Sequence, residues 1–309
     1  MENEYILEIR NCRKEFPGVV ALDNVSLYLR RGEVHALMGE NGAGKSTIMK
    51  ILAGIYQQDG GEILYNGEPY HAKTPADALI KGISMVHQEL DLIPEMTVEM
   101  NIFAGREIKR GPFVDRRQMA ARTREILEDL EVAIDPNTKV KELSTAQQQM
   151  VAIARAVAFN ADVIIMDEPT SAITEREVHR LFEIIRKLVE KNKAVVYISH
   201  KMDEIFEISD QITVMRDGQL IGSVKVSDTT PNELVRMMVG RELKDMYQKS
   251  APASGAFNKD EVLLKVDHLG RPGEFEDVSF EVRRGEILGI FGLMGAGRTE
   301  MVETIFGLR

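Results

Sequence analysis

A chain of 309 residues is long enough for two domains, and its 44% hydrophobic content is that of a globular protein. A net charge of −10 and the lack of tryptophan argue against nonspecific nucleic-acid binding, which needs a basic footprint and stacking platforms. No apolar run reaches the length of about 18 residues that a spanning helix needs, the N-terminus (Met1 to Tyr5) has no signal-peptide core, and the single cysteine, Cys12, excludes an internal disulfide.

Alternating strand and helix signals run from Tyr5 to about Val239. Strands are predicted at Ile6–Arg10, Val25–Leu29, Val34–Met38, Glu62–Tyr65, Ile83–Val86, Val163–Met166, Val195–Ile198 and Ile212–Met215. Helices are predicted at Lys45–Ile55, Arg117–Leu130, Ala146–Phe159, Glu175–Glu190 and Asn232–Val239. The mixture predicts an α/β domain with a largely parallel sheet. Met96 to Phe159 shows long helical patterns without a clear strand and reads as a helical insertion, about residues 96–160. Cys12 falls in a strand-like stretch and reads as a packed thiol.

Gly39 to Thr47 reads Gly-Glu-Asn-Gly-Ala-Gly-Lys-Ser-Thr, between the apolar strand Val34–Met38 and a helical run. Strand, glycine loop and helix in this order form a phosphate cradle. Glycines such as Gly39, Gly42 and Gly44, with Asn41 and Ala43 between them, let backbone amides turn inward toward phosphate oxygens. Lys45 adds a point charge near the β- and γ-phosphates, Ser46 offers a hydroxyl to Mg²⁺, and Thr47 continues a helix whose positive end faces the ligand.

Val163 to Met166 ends in Asp167 and Glu168, which brings two carboxylates to the sheet's carboxyl edge. Asp167 is expected to hold Mg²⁺, and Glu168 to orient or deprotonate a water. Gln88 ends another strand and can touch Mg²⁺ or that water without adding charge. His200 ends Val195 to Ser199 and can hydrogen-bond a γ-phosphate. Ser144 is a good N-cap for a helix that opens Thr145-Ala146-Gln147, a start able to grip an anion. The remaining histidines show no ligand spacing, so no metal site beyond nucleotide-bound Mg²⁺ is expected.

Residues 243–260 are small and polar at their centre and read as a linker. The chain then begins again. Asp23–Tyr56 aligns without gaps onto Glu276–Arg309 at a constant offset of 253, with 11 identities in 34 positions. The second copy has Arg298 for Lys45 and Thr299 for Ser46; a forked guanidinium is no neutral replacement for a compact ammonium. It carries a phosphate loop and none of the later parts, so the sequence reads as a fragment of a longer tandem protein. The domain expectation is residues 1–242, a linker over 243–260, and the start of a second domain over 261–309.

These pieces in this order resemble the ATP-binding subunits of ABC transporters. Gly39–Ser46 matches the family's Walker A loop, Gln88 its Q-loop, and Leu143–Gln147 its signature. Val163–Glu168 matches the Walker B strand with catalytic glutamate, Ser171 to Thr174 the D-loop, and His200 the switch histidine. Phe16 lies where the family stacks an aromatic on adenine. More narrowly, Phe16-Pro17-Gly18-Val19, Val86 to Leu90, Tyr197 to Phe206, Arg216-Asp217-Gly218 and Met237 to Arg241 look like the duplicated ATPases of bacterial ribose and galactose importers. Thr145 and Ala146 depart from the family's two signature glycines, and Thr174 from its usual D-loop aspartate.

The resemblance implies a P-loop NTPase fold with a helical insertion and an antiparallel β subdomain. It implies ATP and Mg²⁺ as ligands, with Ser46, Gln88 and Asp167 around the metal, and hydrolysis by Glu168, His200, Gln88 and Lys45. It implies head-to-tail dimerisation of two such domains, with Ser144 and Gln147 contacting the nucleotide of the other domain. Implied partners are integral membrane permease subunits and, through them, an extracellular or periplasmic sugar-binding protein; no nucleic acid is implied. The implied place is the cytoplasmic face of the bacterial membrane. A soluble tandem ATPase of ribosomes would carry a long charged arm where residues 243–260 are short and weakly charged, and a non-hydrolysing regulatory module would not need Asp167 beside Glu168.

Overall fold

Alternation of apolar and polar residues shapes the first two strands. β1 (Leu7–Phe16) and β2 (Val19–Leu29) pair antiparallel around a turn at Gly18. Buried Leu7, Ile9, Leu22, Val25, Leu27 and Leu29 form their inner face, together with the buried thiol of Cys12, whose pKa burial pushes up to about 11. In the computed structural model of the chain, residues 4–87, 90–171, 173–240, 261–292 and 295–308 are described. β3 (Val34–Met38) is apolar almost throughout and buried along its whole length. The glycine loop leads into α1 (Lys45–Leu52), followed by β4 (Gly60–Tyr65), β5 (Glu68–Pro69), α2 (Pro75–Ile80) and β6 (Ile83–Val86). The predicted helix Lys45–Ile55 is shorter than expected: Gly54 has φ +70, and a Cβ there would lie 2.5 Å from the Thr74 carbonyl oxygen.

The insertion contains α3 (Val98–Ile102), a ribbon of β7 (Lys109–Arg110) and β8 (Phe113–Val114), α4 (Arg116–Asp129) and α5 (Thr145–Ala158). The ribbon corrects the expectation that this stretch lacks strands; each strand is two residues long, too short for a period-2 pattern to register. The core then resumes with β9 (Val163–Asp167), α6 (Glu175–Glu190), β10 (Ala194–Ile198) and α7 (Met202–Ile208). β11 (Gln211–Arg216), β12 (Gln219–Lys225) and α8 (Pro231–Val239) follow. β12 lies outside the predicted strands, although Asp217-Gly218, both at positive φ, is a hairpin turn signal.

Two sheets organise these residues. The larger has the order β12-β11-β3-β10-β9-β6, all parallel except the edge pair β11–β12. The smaller, β2-β1-β4-β5, is antiparallel. Strands of the parallel sheet are buried on both faces, which is why they read as continuous apolar runs. Ile165 and Val196 join a core with β1, β2 and α1; Ile164, Met166, Val195 and Tyr197 join a core with α5 and α6.

By contacts the chain divides into two compact units, residues 1–243 and 244–309. The expected linker, residues 243–260, lies outside the described residues. The second unit contains an antiparallel pair, β13 (Val262–Arg271) with β14 (Phe275–Arg283), and α9 (Arg298–Phe306). Its local geometry repeats that of the first unit. Asn11 and His268 both adopt φ +49, and each donates its backbone N–H to a serine hydroxyl on the facing strand, Ser26 at 2.9 Å and Ser279 at 2.8 Å. A Cβ on Gly44 would lie 2.7 Å from the Ala21 carbonyl oxygen, and one on Gly297 2.7 Å from that of Glu274. Residues 287–291 align with β3, yet form no strand; Ile287 and Phe291 are 97% and 96% exposed.

Candidate nucleotide site

Parallel pairing sets the site. β3, β10 and β9 lie side by side, with Leu37 opposite Ile198 and Ile198 opposite Asp167. Their carboxyl ends therefore bring the loop after Met38, the pair Asp167-Glu168 and the segment leading to His200 to one edge. Residues 41–47, Asp167, Glu168, Ala21 and Ile198 line a cleft of about 280 Å³ there.

The loop is held by its glycines. Gly44 is the N-cap of α1 at φ +97, and no side chain caps that helix. The first-turn amides of an α-helix have no partner within the helix, so those of α1 remain donors for an anion. Lys45 Nζ donates to the carbonyl oxygens of Gly39 at 2.7 Å and Glu40 at 3.0 Å, which bends the ammonium back over the loop. Burial lowers its pKa, and the charges of Asp167 and Glu168 oppose that shift. Asp167 is displaced upward, by burial first and then by the negative charge of Glu168. Two crowded carboxylates in a half-buried cleft favour a cation, and a hydroxyl with a carboxylate is the partial oxygen shell that Mg²⁺ accepts beside phosphates and waters.

Glu168 occupies the left-handed region at φ +46, uncommon for a residue with a Cβ. Its backbone N–H donates to the Ile198 carbonyl oxygen at 3.0 Å, which ties this conformation to β10. Glu168 Oε1 lies 3.3 Å from Nδ1 of His200, an exposed ring. A carboxylate and an imidazole on the rim of a phosphate-sized cleft can order a water and a terminal phosphoryl group.

The other expected residues lie apart from that lining. Phe16 stands at the end of β1, edge to face with Tyr56 at 5.2 Å, and the Lys14 ammonium lies 5.4 Å from its ring centre. Tyr56 is absent from the residues that sequence reasoning selects; an aromatic just past a helix carries no local signal. Ser144 and Gln147 form a closed capping box at the exposed start of α5: Ser144 Oγ accepts from the Gln147 N–H at 3.3 Å, and Gln147 Oε1 from the Ser144 N–H at 3.0 Å. They are not among the residues lining the cleft. Gln88 lies outside the described residues.

The ABC transporter family model matches residues 22–171, which span the loop, the start of α5 and the two carboxylates. Residues 22–171 carry an ABC transporter family domain. A putative ribose/galactose/methyl galactoside import ATP-binding protein of Hahella chejuensis is 55% identical over 306 residues, 99% of this chain and 58% of that protein. The protein of the same description from Geobacillus kaustophilus is 53% identical over 311 residues, 100% of this chain and 61% of its own length. The chain thus spans less than two thirds of these curated relatives. Among solved structures, the ADP conformation of MJ1267, an ATP-binding cassette of an ABC transporter, aligns with a TM-score of 0.68 at 26% identity, over 77% of this chain and all of that one. A dimeric post-hydrolysis state of the cassette MJ0796 bound to ADP and Pi gives 0.61 at 28% identity, over 71% of this chain and 98% of that one. The sheets and helical insertion are those of an ABC ATPase cassette. Among the described residues, no helix is long and apolar enough to cross a membrane.

Proposed function

We propose that the chain binds MgATP in the cleft at Lys45 and is the hydrolysing part of a subunit that powers sugar import through a separate membrane permease. One observation carries the reading: Lys45, Ser46, Asp167 and Glu168 line a single cleft, with His200 on Glu168. In this reading the α1 amides and Lys45 hold the phosphates. Ser46, Asp167 and Gln88 hold Mg²⁺, which neutralises phosphate charge. Glu168 orients the attacking water, and His200 contacts the γ-phosphate. Phe16 stacks on adenine. Ser144 and Gln147 serve the nucleotide of a second ABC domain, so that ATP closes and hydrolysis reopens a head-to-tail pair.

The sugar assignment rests on the relatives' printed function and on the stretches that resemble sugar importers. Residues 1–242 would be the first ABC domain and 261–309 the start of another, with Arg298 in its loop. An apolar cleft of about 440 Å³ on the insertion supports the permease reading. It is lined by Ile93, Met96, Met100, Val114 and Met119 with Arg116 at its side. Methionines adapt their shape to an apolar partner helix. The chain would then sit on the cytoplasmic face of the membrane, and an external sugar-binding protein would act through the permease. Phosphate release by Glu168→Gln tests the hydrolytic assignment. The expected result is a loss of turnover of about 100-fold or more with MgATP affinity retained. Retention of most of the turnover would overturn it.

A further inference from the structure

A buried carboxylate ties the two halves of the proposed catalytic pair together. Glu204, on α7, is 7% exposed. Its Oε2 accepts from the hydroxyls of Thr170 at 2.8 Å, Tyr197 at 2.8 Å and Ser199 at 3.1 Å. Its Oε1 meets the Lys201 ammonium at 2.9 Å. Lys201 also reaches the carbonyl oxygen and hydroxyl of Thr170, at 3.3 and 3.4 Å, and its backbone N–H donates to Ser199 Oγ at 3.1 Å. Four donors approach the capacity of one ionised carboxylate. Burial alone would raise the Glu204 pKa; Lys201, Thr170 and Tyr197 outweigh it and hold the group below its ordinary value.

The chain positions of these donors matter more than their number. Thr170 follows Glu168 by two residues, and Ser199 and Lys201 flank His200. A folded core does not require three hydroxyls and an ammonium around one buried acid, since apolar packing of the same shape is as stable or more so. We propose that Glu204 is a positioning residue for ATP hydrolysis: by clamping Thr170 to both neighbours of His200, it makes the segment bearing Glu168 and the segment bearing His200 move as one unit. The proposal rests on the ATPase reading above. It adds that Glu168 and His200 are set relative to each other from beneath, through Glu204, and that their own contact of 3.3 Å is a consequence. A carboxylate is needed because the amide of a glutamine in its place would turn an NH₂ toward at least one of these donors.

Thr170→Val tests this, because it removes one donor at nearly constant volume. In phosphate release, kcat is expected to fall about 10- to 100-fold while MgATP affinity stays within about two-fold, since the Lys45 loop is untouched. Thr170→Ser restores the hydroxyl and is expected to recover most of kcat. Glu204→Gln is expected to lose at least as much, and the double variant no more than Glu204→Gln alone. The second readout needs no turnover: the His200 ring signal in ¹H–¹³C NMR spectra of the nucleotide-free chain, assigned with His200→Gln. It is expected to shift in Thr170→Val and to return in Thr170→Ser. A wild-type chain without turnover would defeat the ATPase reading while this signal still decides the coupling. Wild-type kcat together with an unmoved His200 signal in Thr170→Val would overturn the proposal, as would equal loss of kcat and of ATP affinity.

Discussion

Gly44 and Gly42 stand two residues apart in one loop, and the structure gives them opposite sensitivities. Gly44 has φ +97, and a Cβ there would lie 2.7 Å from the Ala21 carbonyl oxygen and 2.8 Å from Leu22 Cδ2. Leu22 is fully buried and cannot swing aside. A left-handed conformation costs a non-glycine residue about 1–2 kcal/mol, and crowding against backbone and core adds about 1–3 kcal/mol. Gly44→Ala should therefore lose about 2–5 kcal/mol of folding free energy. Gly42 has φ +86 but nothing within 4 Å of its Cβ position, so only the first cost, about 1–2 kcal/mol, applies. Gly42 lines the cleft, however, and a methyl group there occupies space assigned to phosphate. Urea unfolding followed by circular dichroism gives the stabilities, and titration with MgATP gives the affinities. Gly44→Ala is expected to lose more stability, whereas Gly42→Ala is expected to lose affinity out of proportion to its stability. A stability loss in Gly42→Ala equal to or larger than that in Gly44→Ala would contradict this ranking.

His35 is buried in β3 with Nε2 2.7 Å from Thr213 Oγ1, and burial pushes its pKa down to about 4. The unfolded chain takes up this proton near pH 6.5 and the folded chain does not. The contribution of His35 to stability is therefore fully present above about pH 6.5 and is lost at about 1.4 kcal/mol per unit below it, about 3 kcal/mol in all by pH 4. Denaturant unfolding between these values should show that slope in the wild type and a shallower one in His35→Gln; parallel slopes would contradict it. Hydrogen exchange offers a separate check. Backbone amides of Val34–Met38 should exchange slowly and those of residues 287–291 near the rate of an open chain, because Ile287 and Phe291 are almost fully exposed. Equal protection of the two stretches would contradict this.

The parallel sheet is legible in the sequence because its strands are buried on both faces: apolar runs alone bound Val34–Met38 and Ile83–Val86 correctly. Helix α6 is legible because Thr174 and Glu177 form a capping box ahead of a clear apolar stripe. The end of α1 is not, since what stops it is the approach of the Thr74 carbonyl to Gly54, a contact between distant segments. At the candidate site, residues 39–47 and the pair Asp167-Glu168 can be read from order and residue type. Tyr56 beside Phe16 and the ring of donors around Glu204 cannot, because Thr170, Tyr197 and Glu204 come together only through the pairing of β9 with β10 and the return of α7. The left-handed turn at Glu168 likewise leaves no mark in the sequence; it follows from the bond to Ile198.

The proposed function stands or falls on the cleft at Lys45 being an ATP site. Calorimetric titration of the chain with MgATP, compared with Lys45→Ala, tests it most directly. Losing a charged donor to the phosphates should weaken binding about 10- to 100-fold while leaving the fold intact. Binding of MgATP by Lys45→Ala as tightly as by the wild type would contradict the claim.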